Sequence, residues 1–128
     1  MAEGRAEGQA TVLVVDDEAM LRDIIREALE AYGYRVLMAG HGDEALRLAD
    51  GTPAAIDVLL TDVVLPGMSG PDLAAAILKQ RSATRVVFMS GHIEAELVHY
   101  GVHEPGLNFL QKPFTPAELA AKLREVLA

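Results

Sequence analysis

The sequence predicts a doubly wound α/β fold, in which helices cover both faces of a parallel sheet. Short apolar segments of strand length alternate with longer segments of helical periodicity, as expected for right-handed β-α-β crossovers. The segment 58–62 is a nearly continuous apolar run that ends in the carboxylate of Asp62. An unbroken apolar strand is typical of a sheet that is buried on both sides.

Five strands are predicted, at residues 11–15, 35–39, 58–62, 86–89 and 108–111. The second is less uniformly apolar than the first, which predicts a place nearer an edge of the sheet.

Five helices are predicted to alternate with the strands. The first has the clearest periodicity and ends at Gly33. Its buried face is expected to carry Leu21, Ile24, Ile25, Ala28, Leu29 and Tyr32. Helices at 42–49 and 70–80 follow, and a fourth is expected at about 93–100. Thr115 and Glu118 form a predicted capping box, with Pro116 in the first turn of the last helix.

Length and composition indicate one domain. The chain has 128 residues, of which 51% are hydrophobic, and residues 11–128 are expected to form the domain after a flexible tail at 1–10. A net charge of −8 argues against direct binding of nucleic acid. No apolar run approaches the roughly 20 residues of a membrane span. The start of the chain does not resemble a secretory signal, and together these features predict a cytoplasmic location without membrane contact.

Polar side chains stand at the carboxyl ends of four predicted strands. They are Asp16 and Asp17 after the first strand, Asp62 at the third, Ser90 at the fourth and Lys112 at the fifth. Because the carboxyl ends of parallel strands meet at one edge, these side chains are expected to line a single crevice, where open α/β sheets bind their ligands.

This set of side chains suggests phosphoryl chemistry. Three neighbouring carboxylates repel each other unless one is protonated or a cation neutralises them, and an oxygen-only donor set suits Mg²⁺. A carboxylate beside Mg²⁺ can attack phosphorus, and an ammonium and a hydroxyl could hold phosphoryl oxygens. Taken singly, each residue also has an ordinary interpretation, since acids often cap a helix and the others could be turn or surface residues.

Four motifs resemble the receiver domains of two-component response regulators. They are Val14-Val15-Asp16-Asp17; Thr61-Asp62 with Leu65-Pro66-Gly67-Met68-Ser69-Gly70; Met89-Ser90-Gly91; and Leu110-Gln111-Lys112-Pro113-Phe114. Their order and approximate spacing are those of the family. The phrases at 88–91 and 109–114 further resemble receivers at the C-terminus of hybrid sensor histidine kinases.

The resemblance implies a strand order and a metal site. The order is the flavodoxin-like 2-1-3-4-5. Asp62 is the expected phosphoacceptor. The Mg²⁺ ligands are expected to be Asp16, Asp17, Asp62 and the backbone carbonyl of Val64.

The resemblance also implies how phosphorylation is sensed. Lys112 is expected to contact a phosphoryl oxygen and to be joined to Pro113 by a cis peptide bond. Ser90 is the hydroxyl expected to move toward the phosphoryl group. Phe109 occupies the position of an aromatic switch and is expected to rotate inward as Ser90 moves.

The leading functional interpretation is a phosphorelay receiver. Asp62 would accept a phosphoryl group from a histidine kinase or a histidine phosphotransfer protein, and its own hydrolysis would reset it. A downstream protein would then bind through the fourth helix, fifth strand and last helix.

The alternative is a receiver-like interaction module that works without phosphorylation. A phosphatase with an aspartate nucleophile is disfavoured because Val64 stands where such enzymes carry a second acid. A flavin carrier would need a Ser/Thr-rich loop after the first strand to bind phosphate, and Asp16 and Asp17 stand there instead.

Overall fold

Five parallel strands in the order 2-1-3-4-5 form the centre of the computed structural model, which describes residues 10–91 and 108–128. The strands are β1 (Thr11–Val15), β2 (Arg35–Ala39), β3 (Val58–Asp62), β4 (Arg85–Ser90) and β5 (Asn108–Gln111). Each neighbouring pair is parallel. The predicted fold class and strand order are confirmed, and β2 lies at an edge as expected.

Helices cover both faces of this sheet. They are α1 (Ala19–Ala31), α2 (Gly42–Gly51), α3 (Gly70–Gln80) and α4 (Pro116–Leu127). The helix predicted at about 93–100 lies outside the described residues. In the part of the chain that the structure describes, no helix combines the length and the apolar character that a membrane span requires.

Two hydrophobic cores lie on opposite sides of β1. Val12 and Val14 point into a core shared with α1 and α4, whereas Leu13 and Val15 point into a core shared with α2 and α3. All five residues of β1 are therefore buried, because successive side chains of a strand alternate between the faces of the sheet. This two-sided burial explains why the central strands read as unbroken apolar runs.

The buried face of α1 is narrower than its apolar periodicity predicts. Ile25 and Leu29 are fully buried, but Ile24 is 57% exposed and Tyr32 is 38% exposed. The contact of α1 with the sheet and α4 centres on Ile25 and Leu29, which are one turn apart, and Ile24 is rotated about 100° from Ile25. The prediction that Ile24 and Tyr32 face the core is wrong.

Side-chain caps fix the starts of two helices that follow site-bearing strands. Ser69 Oγ accepts a hydrogen bond from the backbone N–H of Asp72 at the start of α3. The predicted capping box of α4 is present, with reciprocal hydrogen bonds between Thr115 and Glu118.

At the start of β1, Ala10 is buried and its carbonyl accepts a hydrogen bond from Arg35 N–H. Ala10 is thus part of the folded domain rather than of the tail.

Candidate functional site

The carboxyl ends of β1, β3, β4 and β5 bring the predicted site residues to one edge of the sheet. Asp16 directly follows β1, Asp62 ends β3, Ser90 ends β4 and Lys112 directly follows β5. The strand register aligns these ends, since Asp62 pairs with Met89 and Ser90 pairs with Gln111. Side chains from four distant segments of the chain therefore lie around one crevice.

Lys112 joins two carboxylates of this crevice. Its Nζ atom lies 2.8 Å from Asp16 Oδ2 and 2.8 Å from Asp62 Oδ2. The exposed fractions of the three side chains are 19% for Lys112, 0% for Asp16 and 14% for Asp62. The single ammonium is therefore shared by two largely buried carboxylates.

The pKa values of both Asp62 and Lys112 lie above their ordinary values, for different physical reasons. Burial raises the pKa of Asp62 above its ordinary value and outweighs the lowering by Lys112, and the nearby charge of Asp16 raises it further. Burial lowers the pKa of Lys112, but the hydrogen bonds and charges of Asp16 and Asp62 outweigh it, and the net shift is upward. One ammonium is stabilised by two carboxylates, whereas Asp62 has only a share of one cation. The crevice therefore favours a further positive charge.

Asp16 and Asp17 have different surroundings. Protein donors already satisfy both carboxylate oxygens of Asp16, because Glu18 N–H donates to Oδ1 at 2.8 Å and Lys112 donates to Oδ2. Arg22 Nη1 also donates to the Asp16 backbone carbonyl at 2.7 Å. The Asp17 side chain is exposed and makes no hydrogen bond or ion pair with the other described residues. Asp16 thus shapes the turn after β1, while Asp17 offers its oxygens to the crevice.

The acidic residues can provide a compact set of oxygen ligands. One carboxylate oxygen from each of Asp16, Asp17 and Asp62 can lie within 4.8 Å of the others. Oxygen donors at an edge that is short of positive charge fit a hard divalent cation such as Mg²⁺. Val64, whose carbonyl is the fourth expected ligand, donates its own N–H to Asp62 Oδ1 at 3.3 Å.

The loop between β3 and α3 is held closely against its surroundings. Gly70 N–H donates to the Val63 carbonyl at 2.8 Å. Gly67 adopts a φ of 79°, in the left-handed region that suits glycine. Met68 packs on Gly42 at the start of α2, where an added Cβ would lie 3.0 Å from the Met68 sulfur. These contacts set the path of the backbone that leaves Asp62.

The segments carrying Ser90 and Lys112 are also tied together. Ser90 is fully buried, and its carbonyl accepts a hydrogen bond from Lys112 N–H at 2.8 Å. The Lys112–Pro113 peptide bond is cis. Phe109 is half-buried and stacks on Phe88, with ring centroids 5.7 Å apart and an interplanar angle of 26°.

An apolar groove borders the crevice on the side of α1. Its volume is about 410 Å³, and it is lined by Leu21, Ile24, Lys112, Pro113 and Phe114. Met20, in the first turn of α1, is 78% exposed. Ile24, which was predicted to lie in the core, thus lines an exposed surface beside Lys112.

Two residues near the site carry contacts that sequence reasoning missed. Arg22 donates to the Asp16 carbonyl, and Gln111 donates to the carbonyls of Gly91 and Lys112. Both side chains bond to backbone groups, which every residue has. Arg22 stands six residues after Asp16, and Gln111 lies inside the fourth motif, directly before Lys112; these positions are the only signals in the sequence.

Comparison with known proteins gives one consistent family. A family model described as "Response regulator receiver domain" matches residues 12–124. Sensor kinase CckA of Brucella abortus (strain 2308) is 35% identical over 120 residues, which cover 94% of this chain and 13% of that protein. Transcriptional regulatory protein CpxR of Escherichia coli (strain K12) is 36% identical over 117 residues, covering 91% of this chain and 48% of that protein.

Solved structures of receiver domains resemble this chain as well. A response regulator receiver domain protein from Clostridium thermocellum superposes with a TM-score of 0.80 at 30% identity, covering 92% of this chain and 94% of that one. The chain spans from about one eighth to about half the length of the two curated relatives described above. The similarity to a sensor kinase matches the expected likeness to hybrid-kinase receivers, and the percentage identity to a transcriptional regulator is about the same.

Proposed function

The chain belongs to the response regulator receiver domain family, and we propose from this premise that Asp62 is the phosphoacceptor of a two-component phosphorelay. The donor is a phosphohistidine on a histidine kinase or a histidine phosphotransfer protein. The observation that carries this proposal is the bridge from Lys112 Nζ to Asp62 Oδ2 and Asp16 Oδ2, both at 2.8 Å. It places a cation directly against the carboxylate that is to react.

The proposed transfer uses the Asp62 carboxylate as nucleophile. One of its oxygens forms a bond to phosphorus, the phosphorus–nitrogen bond of the donor breaks, and the electron pair of that bond returns to the imidazole nitrogen. Lys112, already within hydrogen-bond distance of Asp62, neutralises charge on a phosphoryl oxygen. Reset occurs when water attacks the phosphorus, the Asp62 oxygen–phosphorus bond breaks, and inorganic phosphate leaves.

Asp16, Asp17, Asp62 and the Val64 carbonyl are the proposed ligands of Mg²⁺. When bound, Mg²⁺ supplies positive charge for the phosphoryl oxygens and offsets repulsion among the carboxylates. Asp17 is the most accessible of the three acids, since the Asp16 oxygens already accept hydrogen bonds from Glu18 N–H and Lys112.

Ser90 and Phe109 are proposed to convert phosphorylation into a change of surface. Ser90 lies on the strand next to Asp62 and supplies a hydroxyl to a phosphoryl oxygen. Phe109 pairs with Phe88 across β4 and β5, so a movement of Ser90 at the end of β4 alters the packing available to the Phe109 ring. The phosphoryl group adds charge and acceptor oxygens, which drive such movements.

Protein partners are proposed at two surfaces. The apolar groove beside Lys112, with Ile24 and Phe114 in its lining, suits a protein phosphodonor because it offers hydrophobic contact next to the reacting carboxylate. The surface for the downstream partner comprises β5, α4 and the predicted helix at 93–100, which is outside the described residues.

Phosphorylation by a small donor tests this function. We expect incubation with phosphoramidate and Mg²⁺ to add one phosphoryl group to the wild type, detected by intact mass, and none to Asp62→Asn. Asp50→Asn removes an exposed acid at the far end of α2 and should be phosphorylated like the wild type. Absence of an adduct in the wild type would refute the proposal and favour the phosphorylation-independent interaction module.

A further inference from the structure

The Gln111 side chain connects the chain segment after Ser90 to the turn that carries Lys112. Gln111 Nε2 donates to the Gly91 carbonyl at 2.8 Å and to the Lys112 carbonyl at 3.2 Å. The Lys112 N–H donates to the Ser90 carbonyl at 2.8 Å. Two successive carbonyls at the end of β4 are therefore held by two successive residues at the end of β5.

Packing contributes little to holding Gly91. This residue is exposed, and a Cβ added to it would meet no heavy atom within 4 Å among the described residues. Its backbone direction therefore depends on hydrogen bonds such as the one from Gln111. Because Gly91 directly follows Ser90, whatever fixes the Gly91 carbonyl also restricts how the Ser90 backbone can turn.

We propose that Gln111 is a positioning residue for the Ser90 hydroxyl. By holding the Gly91 carbonyl beside Lys112, Gln111 keeps the hydroxyl within reach of a phosphoryl group on Asp62, an inference that rests on the function proposed above. Lys112 Nζ donates a hydrogen bond to Asp62. The Gln111 contact therefore fixes the position of the segment after Ser90 relative to Lys112, the residue that touches the phosphoacceptor. A hydroxyl ordered in advance loses less freedom when it binds its oxygen.

Beryllofluoride, which binds aspartate carboxylates as a phosphoryl analogue, tests this role in a double-mutant cycle. Gln111→Met retains the side-chain length and removes the donor. Because one neutral hydrogen bond changes an equilibrium by about fivefold, we expect Gln111→Met to weaken beryllofluoride binding in Mg²⁺ about fivefold. The same substitution in a Ser90→Ala background should have little effect, since no hydroxyl remains to be positioned. Gln80→Met, at the exposed end of α3, is the matched control and should bind like the wild type.

Hydrogen exchange adds a measurement that does not depend on the analogue. Without beryllofluoride, the Lys112 amide, which donates to the Ser90 carbonyl at 2.8 Å, should exchange several-fold faster in Gln111→Met than in the wild type, whereas Gln80→Met should leave it unchanged. Unchanged exchange, unchanged affinity, or equal weakening in the Ser90→Ala background would each overturn the role of Gln111. A wild type that fails to bind beryllofluoride would overturn the proposed function and this inference with it.

Discussion

Gly70 lies so close to the phosphoacceptor segment that a Cβ on it would be 2.1 Å from the carbonyl oxygen of Asp62. Real Cβ atoms do not approach oxygen so closely, and the obstacle is backbone rather than a flexible side chain. The Gly70 N–H meanwhile donates to the neighbouring Val63 carbonyl. The start of α3 can therefore pack on the end of β3 only while residue 70 has no side chain.

We expect Gly70→Ala to displace the backbone at Asp62. Overpacking of this kind costs about 1–3 kcal/mol of unfolding free energy, and phosphorylation by phosphoramidate should slow as well. Gly51→Ala is the matched control. A Cβ at this helical position meets nothing within 4 Å, so its stability should stay the same or rise by up to about 1 kcal/mol. Urea denaturation of both variants measures the contrast, and an equally stable Gly70→Ala would contradict the packing argument.

Asp62→Asn should stabilise the fold at neutral pH in the presence of EDTA. Burial raises the pKa of Asp62 above 3.8, so the folded protein favours the protonated acid more than the unfolded chain does. Stability from this group is therefore complete below pH 3.8 and is lost as the pH rises through the folded pKa.

The difference in melting temperature between Asp62→Asn and the wild type is expected to be positive at pH 7 and to shrink as the pH falls. Asp50→Asn, which alters an exposed acid, serves as the control for the loss of one negative charge. A wild type that is more stable than Asp62→Asn at pH 7 in EDTA would show that the Lys112 bridge outweighs burial.

Mg²⁺ should stabilise the wild type. Free Mg²⁺ at 100 times its dissociation constant is expected to add about 2.7 kcal/mol to the unfolding free energy, because the unfolded chain does not assemble the three carboxylates. Asp17→Asn should lose most of this increment, while Asp50→Asn should retain it. Thermal melts over a Mg²⁺ titration measure the effect, and an equal increment in all three proteins would place the ion elsewhere.

Arg81 is expected to be important for stability through its geometry. Its guanidinium donates to the carbonyls of Ala49, Thr52 and Ala54, which lie at the end of α2 and in the loop before β3. Arg81→Lys keeps the charge but cannot reproduce this fork, so we expect a loss of about 1–3 kcal/mol. Arg47→Lys, at an exposed position of α2, should change stability by less than about 0.5 kcal/mol. Equal midpoints for the two variants in urea would contradict this.

The strands were predictable because each contains a short apolar run of strand length, whether it is central or, like β2 and β5, partly exposed at an edge of the sheet. The bounds of β1, β2, β3 and β5 are as predicted, whereas β4 is longer by Arg85 and Ser90. Those two residues are polar, and only their pairing with Val58 and Gln111 extends the strand. The strand order came from the family resemblance, because periodicity does not say which strands are neighbours.

The meeting of Asp16, Asp62 and Lys112 follows from their places at strand ends, which the sequence reveals. The contacts of Arg22 and Gln111 do not follow from it, since these side chains bond to backbone carbonyls. The exposure of Ile24 was also not predictable from the sequence, because helical periodicity gives the direction of an apolar face but not the width of the surface that covers it.

The unequal surroundings of Asp16 and Asp17 have an evolutionary consequence. Asp16 accepts hydrogen bonds from Glu18 N–H and Lys112, so its loss removes the Glu18 acceptor and leaves Lys112 with Asp62 alone, even in a protein that never transfers phosphate. The Asp17 side chain accepts no hydrogen bond from the other described residues. In lineages that abandon phosphotransfer, substitutions are therefore expected to accumulate at the position of Asp17 sooner than at that of Asp16.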